Sequence, residues 1–431
     1  MFVFMLRKEK SLLPGSSSLP SEIEGRGMAV QQELASHQSS AIELQRYHAF
    51  DGLRATMMLL GLVLHSAMGY VTFPTHETWP FKDPHPQAGF DLLVMFIHTF
   101  RMPVFFVIAG FFAAFLYVTR GANALFHNRT RRVALPLVGA WCVLFPVVIV
   151  VSGFAYARSS VQVPIDPQNL TIGRVLNHLL HLWFLYDLLI FYAVALLIVP
   201  LVQRVPQELR DRLLATFSRI VPAMWAPVVL SLMTLLTLYP MRIWALDTSD
   251  SFLPPLRILA AYGVFFVFGW LLYSQRALLS SFPRRAWGNF CVGGLFFALY
   301  VVCIGQAIAL GPILTLHVLA KSSLALATWF LIYAFLGLFL RYLERPLPLA
   351  RYMADASYWM YLVHLPLTIV LPVLLRTLPF PTAVKYGLVL AITTSVTIAT
   401  YHYWVRATII GEVLNGRRYP RSSPLLSRGV V

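Results

Sequence analysis

The sequence predicts an all-α bundle of about ten transmembrane helices, with both termini on the cytoplasmic side. Three observations carry that expectation. Of the 431 residues, 58% are hydrophobic and 12% charged, and mean hydropathy is +0.69; an ordinary soluble domain carries about 25% charged residues. Ten apolar runs of roughly 20 residues, the length of a membrane-crossing helix, recur along the chain. Basic residues alternate between rich and poor connecting segments, as the positive-inside rule requires. The same composition excludes other classes. Apolar content is too high for a disordered chain, 24 Gly are too few for collagen, and three Cys cannot build a disulfide scaffold. A net charge of +16 would suggest nucleic acid in a soluble protein. Here it is first a topology signal, and no nucleic-acid partner is expected.

The elements follow in order. Residues 1–45 are polar and Ser-rich, with Pro14 and Gly15, and are expected to form a flexible cytoplasmic tail. Its apolar stretch at 2–6 is too short for a signal-peptide core, and Met28 is a candidate natural start. Spans are expected at 55–73, 91–118, 133–154, 177–202, 220–238, 255–273, 290–310, 320–340, 354–375 and 384–405. Each is continuously apolar, whereas barrel strands would alternate with period two. Connecting segments on the side of the termini hold 24 Lys and Arg, against five on the other side. The transmembrane domain is thus expected over 46–410, with a basic cytoplasmic tail over 411–431. Cys142, Cys291 and Cys303 fall within spans and read as buried apolar fillers. The chain shows no internal repeat, so the inverted-repeat pattern of secondary transporters lacks support.

Ionisable groups inside a bilayer are costly and point to function. Arg54 opens the first span, and His65 lies eleven residues on, roughly 16 Å along a helix and near the midplane. A snorkelling anchor is the structural alternative for Arg54, a packing histidine that for His65. In the second span His98 and Arg101 share a face at i and i+3. Arg101 keeps its charge, so it needs an anion, a ligand or a carboxylate such as Asp187; Pro103 and Gly110 can loosen the helix nearby. Arg129-Thr-Arg-Arg132 precedes the third span and suits phosphates through bidentate bonds, or serves as a basic anchor to anionic lipid. The fourth span opens Asn177-His-Leu-Leu-His-Leu-Trp-Phe-Leu-Tyr-Asp187. His178 and His181 are expected to face one way near the outer surface, and without a local Cys or carboxylate no metal is expected there. His364 sits at mid-depth beside Pro366, where a satisfied structural histidine is the alternative. These residues suggest an anionic cytoplasmic ligand that reaches a midplane histidine.

Three motifs then become informative together. Asp51-Gly-Leu-Arg-Ala55 followed by His65, an Arg-x10-His pair, resembles the opening of the acyltransferase-3 family of membrane acyltransferases. Arg129-x-x-Arg132 is similar to that family's second motif. The run 96–112, His181-Leu-Trp-Phe-Leu185 and Ala356-Ser-Tyr-Trp-Met-Tyr-Leu-Val-His-Leu-Pro-Leu-Thr368 resemble, more narrowly, the branch associated with succinylation of periplasmic glucans. The likeness covers about 46–410; over about 203–320 it is one of hydropathy alone.

The resemblance implies a multi-pass enzyme of the bacterial inner membrane. It would move an acyl group, succinyl or acetyl, from cytoplasmic acyl-CoA to hydroxyls of a periplasmic glucan or other glycan, with acyl-CoA as co-substrate and no bound cofactor. His65 would be the catalytic histidine, and Arg54, Arg129 and Arg132 would hold the CoA or position its thioester. Arg101, His98, His181, Trp183, Asp187 and His364 complete the candidate site. Arg101 or Trp183 could stabilise an oxyanion, Arg101 could instead meet a succinyl carboxylate, and Lys321, near the outer end of its span, could contact acceptor. An oligomer is compatible with this reading. The competing readings are O-acetylation of lipopolysaccharide or another surface glycan and, from another class, a secondary transporter.

Overall fold

The computed structural model describes residues 48–73, 79–160, 173, 176–241, 246–311, 313–343 and 348–419. The expected tail at 1–45, with Pro14, Gly15 and Met28, lies outside the described residues. So do Arg174, Arg242, Arg345 and residues 420–431 of the expected C-terminal tail. The described chain is built of helices: α1 His48–Tyr70, α2 Ala88–Arg129, α3 Leu135–Tyr156, α4 Trp183–Val202, α5 Gln207–Ile220, α6 Ala226–Leu238, α7 Leu256–Ser274, α8 Ala286–Leu310, α9 Leu314–Tyr342, α10 Pro348–Leu375, α11 Thr382–Thr400 and α12 Ile409–Asn415.

Every expected span is helical over most of its length. Among the described residues, eight helical stretches are long and apolar enough to cross a bilayer, and the longest, Ala88–Tyr156, contains two of the expected spans. The chain reverses within it. Gly121 takes φ 84°, a left-handed conformation that glycine adopts without Cβ strain, and a π-helical turn, Thr130–Ala134, follows. The ends prove the reversal. Just past α3, the Ser160 N–H donates at 3.2 Å to the Lys82 carbonyl, in the loop that precedes α2.

Three expectations change. The span at 220–238 shortens to α6, whose 13 residues rise about 20 Å against a hydrocarbon core of roughly 30 Å. The carbonyls at its C-terminal end, from Leu238, Tyr239 and Met241, all accept from the Lys321 ammonium. An ammonium has three donors, so Lys321 is fully engaged as a helix cap and offers nothing to an acceptor. Next, 177–182 is not α-helical. Leu180 stands at φ 55° in a short turn, and α4 begins only at Trp183. His178 and His181 therefore part company: His178 is half-exposed and 3.4 Å from the Asp250 carboxylate, while His181 is buried. Finally, Cys303 is buried but Cys142 and Cys291 are exposed.

Packing inside lipid rests on close approach rather than on the hydrophobic effect. On α2, a Cβ at Gly110 would collide with the Phe266 carbonyl; on α7, a Cβ at Gly269 would collide with the Val107 carbonyl. The two backbones touch there, so Gly110 binds α2 to α7 and does not loosen it. Helix α2 also continues through Pro103 with helical backbone angles. Proline lacks the N–H that would satisfy the carbonyl four residues back, and that carbonyl, of Thr99, accepts instead from Thr328 Oγ1 on α9 at 3.0 Å.

The two ends of the bundle differ. At one, Lys82 Nζ donates to the Thr72 and Phe73 carbonyls at 3.0 and 2.6 Å, Arg376 to Arg158 at 2.8 Å, and Thr382 to His85 at 2.9 Å. The buried Lys385 ammonium lies 3.8 Å from the Asp83 carboxylate. At the other, His48 and Arg417 line the same cavity, which brings the two ends of the described chain together. This basic end carries Arg54, Arg129, Arg131, Arg132 and Arg351.

Replacing Gly269 by Leu should cost roughly 1–3 kcal/mol or more through overpacking, read as a lower unfolding temperature in detergent. Gly294→Leu, where a Cβ meets nothing within 4 Å, should leave it unchanged. The hydrogen bond that His178 Nδ1–H donates to the Asp250 carboxylate raises the His178 pKa above the ordinary imidazole range, against an opposing effect of burial. The pairing then contributes fully below about pH 6.5 and is lost as pH rises through the raised value. Protection of the 176–182 amides, corrected for the intrinsic pH dependence of exchange, should accordingly fall across that window, and Asp250→Asn should abolish that fall.

Candidate functional site

Helix α1 sets the axis of the site. Arg54, Gly61 and His65 are seven and four residues apart and share one helix face. From that face His65 Nδ1 lies 2.6 Å from His364 Nε2 on α10, and the two rings are within 3° of parallel. His364 is fully buried, and its Nδ1 faces the carbonyls of Tyr361 at 2.7 Å and Met360 at 3.1 Å.

The sequence explains why His181 joins them. Pro366 removes the N–H that would bond the Leu362 carbonyl in an unbroken helix. That carbonyl and its neighbour on Tyr361 each lie 3.1 Å from His181 Nε2. In return, Tyr361 Oη donates to the His181 carbonyl at 2.7 Å. The left-handed Leu180 thus turns the segment before α4 inward, and the His181 ring meets the His364 ring edge-on at 5.1 Å. His181 Nδ1 is buried without a hydrogen-bond partner. Two of the three rings spend a nitrogen on backbone carbonyls, and among the described residues no three His, Cys, Asp or Glu side chains converge as metal ligands do.

Arg101 reaches this cluster from α2. It is 6% exposed, and its guanidinium lies flat against Gly61, with Nη2 3.0 Å from where a Cβ would stand. Its charge reaches His65, His181 and His364. Its Nε has no acceptor, and among the described residues it forms no ion pair with Asp187. The carboxylate of Asp187 is itself fully buried with neither oxygen hydrogen-bonded. Tyr262 lies between them in charge, within reach of both Arg101 and Asp187, and its hydroxyl too lacks a partner. Trp183 packs its ring on Tyr262 at 5.6 Å. His98 spends its Nε2 on the Leu246 carbonyl at 3.1 Å, and its charge still reaches His65. The unsatisfied polar atoms of Arg101, His181, Asp187 and Tyr262 are the kind that a polar ligand or ordered water completes.

The basic end connects to this interior through tyrosines. Arg129 stacks over the Tyr192 ring at 4.6 Å, and the Arg132 carbonyl accepts from Tyr358 Oη at 2.9 Å. Tyr358 and Tyr361, one turn apart on α10, lie 6.5 Å centre to centre. Arg54, Arg120, Arg129 and Arg131 all act electrostatically on Arg132. Two cavities open here. One, of about 240 Å³, is lined by His48, Asp51, Arg54, Arg351, Asp355 and Arg417. The other, of about 280 Å³, is lined by His127, Asn128, Arg131, Arg132, Glu412 and Gly416. Helix α12 and the residues just past it reach both, with Glu412 and Gly416 in the second and Arg417 in the first. Glu412 pairs with Arg131 at 2.8 Å. Gly416 closes the helix at φ 74° with the Arg132 guanidinium packed on its Cα face. Arg417 and Tyr419 bond the Asp355 carboxylate at 3.1 and 2.5 Å.

Of the residues singled out in the sequence, His65, Arg101, His181 and His364 come together. Arg54, Arg129 and Arg132 gather at the basic end. Asp187, Trp183 and His98 border the centre without bonding the three histidines. Three neighbours escaped the sequence. Gly61 had a signal, the shared face with Arg54 and His65. Tyr361 had one too, its i, i+3 spacing to His364. Trp79 had none: it comes from a loop, lies 5.9 Å from the His65 ring and buries an unpartnered Nε1.

No solved structure matches the chain. A model of the acyltransferase-3 family, described as an acyltransferase domain, matches residues 47–402. Over 339 residues the chain is 26% identical to glucans biosynthesis protein C of Escherichia coli O81 (strain ED1a), which is 76% of this chain and 83% of that protein. It is 25% identical over 334 residues to the protein of the same name from Salmonella heidelberg (strain SL476), 77% of this chain and 84% of the relative. The match to the namesake in Salmonella typhimurium (strain LT2) has the same extent. With these helices and this match over most of its length, the chain belongs to the acyltransferase-3 family and is a multi-pass membrane acyltransferase.

Proposed function

We propose that the protein takes a succinyl group from succinyl-CoA at its basic end and transfers it to a hydroxyl of a periplasmic glucan, with His65 as general base. The observation that carries this reading is the meeting of His65 with Arg101, a buried cation that has no carboxylate of its own. A buried guanidinium without a partner is costly, and a succinyl carboxylate would supply one. The names of the relatives, glucans biosynthesis protein C, support a glucan as acceptor. Membership of an acyltransferase family removes the ground for the transporter reading.

The charge distribution supports an inner membrane with the basic end in the cytoplasm. Nucleotide phosphates would then stay in water against Arg54, Arg129, Arg131 and Arg132, while the uncharged pantetheine arm passes Tyr358 and Tyr361. Only the acyl group crosses the membrane. In the transfer, the acceptor oxygen bonds the thioester carbon as His65 takes the hydroxyl proton. The C–S bond then breaks, and His65 returns the proton to the leaving sulfur, which departs as free thiol. General-base assistance of this kind is worth typically 10²–10⁴-fold. The second reading, O-acetylation of lipopolysaccharide or another surface glycan, uses the same base and leaves Arg101 to the oxyanion.

Purified protein should convert labelled succinyl-CoA and linear or cyclic glucan into succinylated glucan, detected by mass spectrometry. His65→Ala should lower turnover at least about 10²-fold with unchanged thermal stability; normal turnover would overturn the assignment of the base. Arg101→Gln should lower succinyl transfer by about 10²-fold, the cost of a lost buried charge partner, and spare any acetyl transfer. Equal losses with both donors would favour the oxyanion role.

A further inference from the structure

We infer that His364 is a positioning residue that holds His65 in a single tautomer, with its proton on Nδ1 and its lone pair on Nε2. The inference rests on the reading of His65 as general base and adds which nitrogen acts and what keeps it so.

The bond pattern leaves one consistent assignment. His364 Nδ1 faces the Tyr361 and Met360 carbonyls at 2.7 and 3.1 Å. A carbonyl can only accept, so Nδ1 carries the proton. In a neutral imidazole the other nitrogen is then an acceptor, and His364 Nε2 bears a lone pair. His65 Nδ1 lies 2.6 Å from it, with the rings 3° from parallel, so His65 Nδ1 must donate. That leaves the lone pair of His65 on Nε2. The chain of bonds runs from His65 through His364 to the α10 backbone and ends on an oxygen that cannot titrate. Such a partner on one nitrogen fixes the chemistry of the other.

The anchor is rigid as well as directional. Pro366 frees the Leu362 carbonyl, and His181 Nε2 takes it together with that of Tyr361. Tyr361 Oη bonds back to the His181 backbone. The carbonyl that sets the His364 tautomer is therefore held from both sides. When His65 gains a proton on Nε2 during transfer, its Nδ1–H already has its acceptor, so no reorganisation of the pair is needed.

Two substitutions separate positioning from mere packing. In His364→Gln, Oε1 falls near the former Nε2 and can still accept from His65. In His364→Asn, the amide falls near the former Nδ1, so the backbone contact is kept and the acceptor for His65 is lost. Succinyl-CoA turnover with glucan should fall about 10²–10⁴-fold in His364→Asn, the scale of lost tautomer control, and at least tenfold less in His364→Gln. Succinyl-CoA binding should be unchanged in both. A packing role predicts the reverse order, since Asn preserves the helix contact. Nitrogen-15 spectra of histidine-labelled wild-type protein, with His65 assigned by its disappearance in His65→Gln, should show pyrrole-like Nδ1 and pyridine-like Nε2. This needs no folded His364 variant, and a His65 predominantly protonated on Nε2 would overturn the inference. Wild-type turnover in His364→Asn beside an inactive His65→Ala would sink the positioning role alone. An active His65→Ala would instead remove the general-base reading on which it rests.

Discussion

A carbonyl oxygen freed inside a membrane has no water to turn to, and each unmet group there costs several kcal/mol. In this bundle such oxygens recruit side chains from distant parts of the chain. Pro103 frees the Thr99 carbonyl and draws in Thr328. The end of α6 draws in Lys321. Pro366 frees the Leu362 carbonyl and draws in His181. The last of these joins the Tyr361 carbonyl and hydroxyl in holding the segment before α4 inward, where the third ring meets that of His364. The same demand for a partner that holds the fold together also sets the orientation of the clustered histidines.

Along the bundle the polar groups then fall into a sequence of environments. Arginines cluster where water is available, two tyrosines on α10 lead inward, and histidines and Arg101 occupy the interior. Each zone is matched to what it can solvate. Guanidinium groups at the basic end are partly exposed and share Asp51, Asp355 and Glu412 among them. Arg101 shares none, and its guanidinium lies close against the bare backbone of Gly61. The contact of Gly110 and Gly269 with opposing carbonyls fixes the helix that carries Arg101 against α7, so the cation is held by a frame and not by a flexible surface.

Much of this was legible in the sequence because hydropathy is local. Ten apolar runs became helices, and the basic residues that charge counting left inside or beside them became the site. His65, Arg101, His181 and His364 were legible as costly groups in lipid, and that cost is what drove them together. What was not legible depended on single backbone angles or on distant rotation. One left-handed residue, Leu180, separated His178 from His181 and carried the latter into the core. The pairing of Arg101 with Asp187 failed because it depends on how α2 and α4 rotate against each other. Lys321 looked available because the end of α6 that it caps had been assigned to the run of a full span. Trp79 came from a loop, where periodicity says nothing.

The short helix α12 has a consequence for how the molecule comes into being. Its Glu412 meets Arg131 and its Gly416 meets Arg132, although some 280 residues separate the partners along the chain. During synthesis the arginine turn therefore leaves the ribosome well before the Glu412 that pairs with Arg131. Only when the last helix has emerged can the basic mouth close into its final shape. A chain that ended before α12 would keep the interior histidines and lack the Glu412–Arg131 pair at the basic end.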